Sequence, residues 1–356
     1  MTRIALVTDA WHPQVNGVVR TLDTTVGVLR ALGHEVLTIT PQDFRTVPCP
    51  TYPSIRLAVL PARGVLRRLD AFRPEAVHIA TEGPLGHAAR RCCLARGWPF
   101  TTAFHTQFPE YLRLRAPVPV AWSYRYLRRF HAPAARTMVP TPTQRDKLAA
   151  RGFAHLALWS RGVDTTVFRP DDPVLWDWPR PIAVYMGRVA VEKNIEAFLR
   201  LPELPTKVVI GDGPDRERLA ARHRDCHFLG PRFGRDLARH LAAGDVFVFP
   251  SRTDTFGLVL LEALACGLPV AAYPVQGPLD VLEDGVCGAL DEDLGRAVRR
   301  ALTLDRAACV AHAGRYSWAA ATADFLSYLA PIAANAGSAA GNRLGSNGSR
   351  SVSSQP

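Results

Sequence analysis

The amino-acid sequence predicts an α/β fold of two doubly wound, Rossmann-like domains, each built on a parallel sheet. Three observations carry this expectation. Short apolar runs alternate with helical spacing, and the alternation occurs twice; a proline-rich polar segment separates the two series; and 356 residues at 47% hydrophobic content suffice for two cores. In the first series, a strand over Ile4 to Thr8 leads into a helix from Gly17 to Leu32, stopped by Gly33, and a strand over Glu35 to Thr40. Ala76 to Ile79, after Pro74, is the next apolar run, and Phe100 to Phe104, Thr137 to Pro140 and Leu156 to Trp159 complete the set. The second series opens at Ile182 to Met186 and continues through Lys207 to Ile210, His227 to Leu229, Val246 to Phe249 and Val270 to Tyr273. These readings predict a first domain over residues 1–170, a linker over 171–181, a second domain over 182–315, a last helix over 316–331 and a disordered tail over 332–356. The tail ends GSNGSRSVSSQP and has too few apolar residues to offset the entropy of ordering it.

Composition and charge narrow the function classes. No apolar run reaches the length of about 18 residues that reads as a membrane span, and the opening MTRIALVTDAW reads as a strand and its loop rather than a secretion signal. The expected location is the cytoplasm. The seven cysteines include no C-x-x-C pair and no zinc-type spacing, so reduced structural thiols are expected and a structural metal is not. The net charge of +11 is concentrated: residues 1–160 hold 21 Arg or Lys against 9 Asp or Glu, and the remainder 22 against 23. Arg67, Arg68, Arg90, Arg91, Arg113, Arg115, Arg125, Arg128 and Arg129 are interleaved with Tyr111, Leu112, Leu114, Trp122, Tyr124, Tyr126 and Phe130. Such a mixture suits an anionic membrane surface, and equally a set of helices solvated by arginine in a chain that has three lysines. No helix-turn-helix, zinc-finger or ribonucleoprotein motif accompanies the charge, so nucleic acid is not expected as a partner.

The run SRTDTFGLVLLEALACGLPVAA, Ser251 to Ala272, places Asp254 and Glu262 eight residues apart around a Phe256-Gly257-Leu258 turn. Asp254 follows the apolar run that ends at Pro250, and so lies at the carboxyl end of a strand, where open α/β sheets bind ligands. Helical spacing then begins at Leu258, so a helix N-terminus, favourable to phosphate, faces the same place. Glu262 falls in an otherwise apolar helix, where a carboxylate needs polar partners such as sugar hydroxyls. Other strand ends carry His105 within HTQFPEY, Glu82 within TEGPLG, Asn16 and Gly17 at the start of the first helix, and Arg188 and Lys193 within GRVAVEKN. A dehydrogenase would carry G-x-G-x-x-G in the first loop, and DAWHPQVNGV does not.

The Asp254 to Glu262 segment resembles the E-x7-E signature of the retaining glycosyltransferases of family GT4, which have the GT-B fold of two domains facing a cleft. The resemblance covers roughly residues 3 to 330, and its motifs occur in the family's order. One departure is Asp254 itself, where the family usually carries the longer Glu. The resemblance implies transfer of a sugar from a nucleoside diphosphate sugar to a hydroxyl with retained anomeric configuration. It implies that Asp254 and His105 meet the donor sugar, that the backbone of Phe256, Gly257 and Leu258 meets sugar and phosphate, and that Glu262 holds the ribose hydroxyls. Asn16 and Gly17 would face the diphosphate across the cleft, while Arg188 and Lys193 in the G-R-x-x-x-E-K motif would neutralise it. Gly187, Gly211, Gly213 and Gly230 would shape the nucleotide pocket, with Arg232 near the base, and Glu82 would either line the acceptor pocket or cap a helix. The helix after Tyr316 would cross back onto the first domain. No cofactor and no metal are implied, and no residue stands out as a covalent nucleophile. Within the family, HPQVNGVVRTL, TEGPLG and HTQFPEYL are most like bacterial enzymes described as mannosyltransferases or as glycolipid synthases acting on diacylglycerol. Two acceptors therefore stay open: a membrane lipid such as diacylglycerol, reached from the inner face of the cell membrane, or a soluble or polysaccharide acceptor of a GDP-mannose-dependent enzyme. A sugar-nucleotide epimerase would need its own acid-base pair, and a non-catalytic binding module would lack Arg188, Lys193 or Glu262.

Overall fold

The computed structural model describes residues 1–333 except 15, 50–51, 116–118 and 203. Most of the tail expected to be disordered, 334–356, therefore lies outside the described residues.

In the first half the elements are β1 (Arg3–Val7), α1 (Gly17–Ala31), β2 (Glu35–Ile39), β3 (Thr46–Cys49), β4 (Tyr52–Ala58), α2 (Ala62–Phe72), β5 (Ala76–Ile79), α3 (Pro84–Arg96), β6 (Thr101–Ala103), α4 (Phe108–Arg115), α5 (Val120–His131), β7 (Arg136–Val139), α6 (Pro142–Ala149) and β8 (Leu156–Leu158). Six of these strands form one parallel sheet in the order β2-β1-β5-β6-β7-β8. The antiparallel β3-β4 hairpin was not expected, and it fills the long crossover between β2 and α2.

The second half contains β9 (Ile182–Met186), α7 (Ile195–Leu199), β10 (Thr206–Ile210), α8 (Arg216–Arg222), β11 (His227–Gly230), α9 (Gly234–Ala242), β12 (Val246–Phe249), α10 (Leu258–Ala265), β13 (Val270–Ala272), α11 (Pro278–Val281), β14 (Gly288–Leu290), α12 (Leu294–Ala301), α13 (Arg306–Ala313) and α14 (Trp318–Tyr328). Its sheet is also parallel, ordered β11-β10-β9-β12-β13-β14. Both faces of this sheet are covered: Val184, Phe247 and Leu264 belong to one core, Val209, Val248 and Val298 to the other. That double burial is why β9 and β12 are continuous apolar runs rather than alternating ones.

Strand order locates the ligand-binding ends. In each sheet the winding reverses direction at one gap, between β1 and β5 in the first and between β9 and β12 in the second. A crevice opens at such a switch point, outside the carboxyl ends of the strands. Thr8 to Gln14, Asn16 and Ala80 to Gly83 lie at the first gap, Gly187 to Asn194 and Pro250 to Gly257 at the second.

Two segments hold the halves together. Residues 169–181 are packed onto the second half: Trp176 stacks on Trp178, Trp178 on His227, and Arg235 and Arg239 pair with Asp171 and Asp172. Two tryptophans in a stretch of prolines and charges are the reason this segment lies on the protein surface instead of projecting from it. Helix α14 returns to the first half, where Phe325 is buried among Ile4, Leu6 and Trp159 and contributes about 1.5–3 kcal/mol by that burial. The Trp159 indole donates to Ala321 O at 3.1 Å, satisfying its N–H inside the core.

Candidate active site at the cleft between the sheets

The loops after β9 and β12 build one wall. Lys193, at the end of a single 3-10 turn after β9, donates to Asp254 Oδ1 at 2.5 Å, and so bridges the switch point of the second sheet. The Asn194 amide adds a bond to Pro250 O at 3.1 Å. Asp254 Oδ2 is buried and accepts no hydrogen bond among the described residues. A buried carboxylate oxygen in that condition is costly unless a ligand satisfies it. Arg188 lies on the same loop, its carbonyl accepting from the Tyr185 hydroxyl at 2.8 Å.

Gly257, with φ +84°, caps α10; its carbonyl accepts from Leu260 N at 2.9 Å, while the N–H groups that open a helix have no carbonyl four residues back to bond. Phe256 is buried against Tyr316, fixing the turn that precedes those amides. Gly187, Gly211, Gly213 and Gly230 meet behind this wall. A Cβ on Gly211 would lie 1.9 Å from Gly187 O, so glycine is required there by the approach of two strand ends, whatever binds in front. Gly211 N donates to Gly230 O at 2.9 Å, tying in the third loop. Arg232 is at the outer edge, near Asp236.

The first sheet supplies the opposite wall. Asn16 is the N-cap of α1, and its side-chain oxygen accepts from Val18 N and Val19 N, so this oxygen is engaged in the cap. Gly17 faces across the cleft, and a Cβ there would sit 3.6 Å from Leu258 Cδ1. His105 follows β6; its carbonyl accepts from the Thr255 hydroxyl at 2.7 Å, which brings the two walls into contact beside Asp254. The His105 Nε2 atom is buried and has no hydrogen-bond partner among the described residues. Glu82 pairs with His131 at 3.1 Å, and that histidine also bonds Thr102 Oγ1. Beside it, Asp9 accepts from Thr81 and from the amides of Leu85 and Gly86 at the start of α3; burial raises its pKa against those bonds.

Glu262, on the buried face of α10, is ion-paired with Arg20 of α1, which also lies over the Phe168 ring at 5.3 Å. Burial outweighs the Arg20 charge, and the Glu262 carboxyl is pushed up to about 7. The sequence pointed to Glu262 but not to Arg20, although Arg20 is one helical turn from Gly17 and so shares its face. Thr255, Arg161 and Gln276 were missed as well. Gln276 accepts from Gln107 and donates to Gln144, both on the first half. Nothing in their local sequence marks these residues, because each meets a partner in the other part of the site more than fifty positions away.

The basic residues expected to cluster in the first half are spread over helices: Arg67 and Arg68 on α2, Arg90 and Arg91 on α3, and Arg125, Arg128 and Arg129 on α5. Ser123, Tyr124, Leu127 and Phe130 are buried, whereas Trp122 is 72% exposed and Tyr126 52%, beside Arg125, Arg128 and Arg129. These three arginines line a surface hollow of about 360 Å³ with Ala132 and Gly152. The side chains of Tyr111, Leu112, Leu114 and Arg115 lie outside the described residues. Among the described residues no helix is long and apolar enough to cross a membrane.

Residues 15–167 match the model of Glycosyltransferase Family 4, and residues 180–304 that of Glycosyl transferases group 1. A GDP-mannose-dependent alpha-mannosyltransferase of Mycobacterium tuberculosis is 32% identical over 81% of this chain and 83% of that protein. The chain belongs to glycosyltransferase family 4. An alpha-monoglucosyldiacylglycerol synthase of Streptococcus pneumoniae is 26% identical to this glycosyltransferase, over 84% of this chain and 78% of that protein. Sucrose-phosphate synthase from Thermosynechococcus elongatus superposes on it with a TM-score of 0.71 at 19% identity, covering 92% of this chain and 98% of that one. The glycosyltransferase therefore has the GT-B fold and takes a nucleotide-sugar donor.

Proposed function

We propose that this glycosyltransferase moves a hexose, with retention of configuration, from a nucleoside diphosphate sugar to the hydroxyl of a membrane lipid such as diacylglycerol, working as a peripheral protein on the inner face of the cell membrane. The observation that carries the lipid acceptor is α5, which leaves Trp122 and Tyr126 exposed among three arginines. Aromatic rings among cations suit the boundary between headgroups and acyl chains.

In this reading the donor spans the cleft with its sugar between His105 and Asp254. Two buried polar atoms of opposite character, His105 Nε2 and Asp254 Oδ2, support it, since each lacks a protein partner and sugar hydroxyls would satisfy both. The bond from the anomeric carbon to the diphosphate breaks with its electron pair moving to the phosphate oxygen. Arg188, Lys193 and the start of α10 meet the negative charge that grows there. The acceptor oxygen bonds the same face of the anomeric carbon, and its proton passes to the departing phosphate. Glu262 takes the ribose hydroxyls, displacing Arg20 or sharing with it. Glu82, at the first switch point, lines the acceptor side.

A second reading is a GDP-mannose-dependent mannosyltransferase with a soluble or polysaccharide acceptor; the identity to the mycobacterial enzyme favours its GDP-mannose donor. UDP-glucose, UDP-galactose, UDP-glucuronate and GDP-mannose, each offered with diacylglycerol vesicles and with soluble mannosides, separate the two. Glycolipid product from vesicles supports the first; product from soluble mannosides alone overturns it.

A further inference from the structure

Arg161, in the segment that follows β8, is a buried cation at 5% exposure. Its partners among the described residues include no acid. One guanidinium nitrogen donates to Trp159 O at 2.5 Å and Ser160 O at 2.9 Å, the other lies 3.2 Å from His105 Nδ1, and the group stacks over the Trp159 ring at 4.5 Å. A guanidinium has only donors, so His105 Nδ1 must accept, and a neutral ring that accepts at Nδ1 carries its proton on Nε2. That Nε2 atom is the buried one without a protein partner. The rings of His105 and Trp159 meet edge to face, so tryptophan, arginine and histidine form one packed unit.

We propose that Arg161 is a positioning residue for sugar transfer, fixing His105 in the Nε2–H tautomer so that it presents one neutral donor to the donor sugar. The inference rests on the placement of His105 at the sugar. Burial and the Arg161 charge both hold the His105 pKa well below its ordinary value, and burial pushes Arg161 down to about 9, still cationic at neutral pH. A histidine held this way cannot take the acceptor proton, because its one basic nitrogen is occupied by Arg161; the proton is left to the departing phosphate. Arg161 also ties His105 to the domain crossing. A Cβ on the adjacent Gly162 would lie 2.2 Å from Trp318 N, at the start of α14, and Val163 N donates to Tyr316 O at 3.2 Å.

The test is nitrogen-15 NMR of the full chain labelled at its histidine rings, with the His105 signals identified by their loss in His105→Gln. The two-bond nitrogen–proton pattern distinguishes the tautomers and needs no substrate. The expected wild-type pattern is Nε2–H; an Nδ1–H or charged ring overturns the proposal outright. In Arg161→Met the His105 tautomer should become mixed, and turnover of whichever of the four donors the protein accepts should fall by on the order of tenfold to a hundredfold. Donor KM should stay within about threefold, since an orienting role is lost rather than a binding contact. Arg161→Lys, which keeps one donor for Nδ1, should restore the Nε2–H pattern and part of the turnover. Unchanged turnover in Arg161→Met overturns the positioning role. Full activity in His105→Ala, with the wild-type tautomer as expected, would instead remove His105 from the sugar site.

Discussion

Glu262 and Arg20 meet between the two halves of the molecule, and burial keeps the carboxyl near 7 despite the arginine. Because the folded protein holds this proton more tightly than the unfolded chain, the group's stabilising contribution is full below the ordinary carboxylate range. It is lost as pH rises through about 7. Glu262→Gln carries no charge, so its melting temperature relative to wild type should rise between about pH 5 and about pH 8; a pH-independent difference would contradict the buried titration. If the ionised carboxylate holds the ribose, wild-type affinity for the nucleotide sugar should increase over that same range, and Glu262→Ala should weaken it by about 1.5–3 kcal/mol in calorimetry. Arg188 and Lys193 act differently in the proposed mechanism, on charge that grows as the diphosphate leaves. Arg188→Ala and Lys193→Ala are each expected to lower kcat by roughly a hundredfold to a thousandfold, with smaller effects on nucleotide affinity. A folded double variant with near-normal turnover would take both out of the reaction.

Helix α5 was legible only as a mixed basic and aromatic stretch. The structure divides it: Tyr124 and Phe130, expected among the surface aromatics, are buried with Leu127 on the inner face, and Trp122, Arg125, Tyr126, Arg128 and Arg129 make the outer one. If that face docks on anionic lipid, attraction by its charges is screened over about 8 Å at physiological ionic strength, so binding should fall steeply with salt. Aromatic insertion should leave a salt-resistant remainder. Co-sedimentation with neutral and anionic vesicles, comparing wild type with an Arg125/Arg128/Arg129→Glu variant, should show binding to anionic vesicles by the wild type only. Indifference of the wild type to anionic vesicles at low salt would favour a soluble acceptor. The parallel strands other than β14, and α10, were legible because apolar runs and helix caps are local signals; the three-residue β14, Gly-Ala-Leu, is too short to give one. The β3-β4 hairpin was not, since Pro48 and Pro53 interrupt its pattern. Arg20, Arg161 and Gln276 escaped for another reason: each has its meaning only through a residue that the fold brings in from afar.

At the scale of the whole molecule the two halves are joined by a chain crossing twice and by polar contacts across the cleft. Thr255 donates to His105 O, Thr143 N to Asp280 Oδ1 at 3.1 Å, and Gln276 bridges two glutamines of the first half. Gln107 is 4% exposed and Gln144 fully buried, so separating the halves here exposes or strands polar groups that closure satisfies. Gln276 thus ties the two halves together in this arrangement, and its hydrogen bonds go to Gln107 and Gln144 rather than to the residues assigned to the sugar and phosphates. Gln276→Leu removes one acceptor and one donor, each worth about 1 kcal/mol net, which shifts the balance between closed and open forms by about thirtyfold toward open. A donor that binds the closed form must then draw on its own affinity to restore it, so apparent affinity falls by the lost closed fraction. The expected result is a larger radius of gyration in small-angle X-ray scattering without donor, a donor KM raised by about three- to tenfold, and kcat within about twofold at saturation. If scattering and KM match the wild type, closure does not depend on this bridge. If kcat falls while KM holds, Gln276 acts on the reacting groups themselves, and the cleft is narrower around the sugar than the placement of His105 and Asp254 implies.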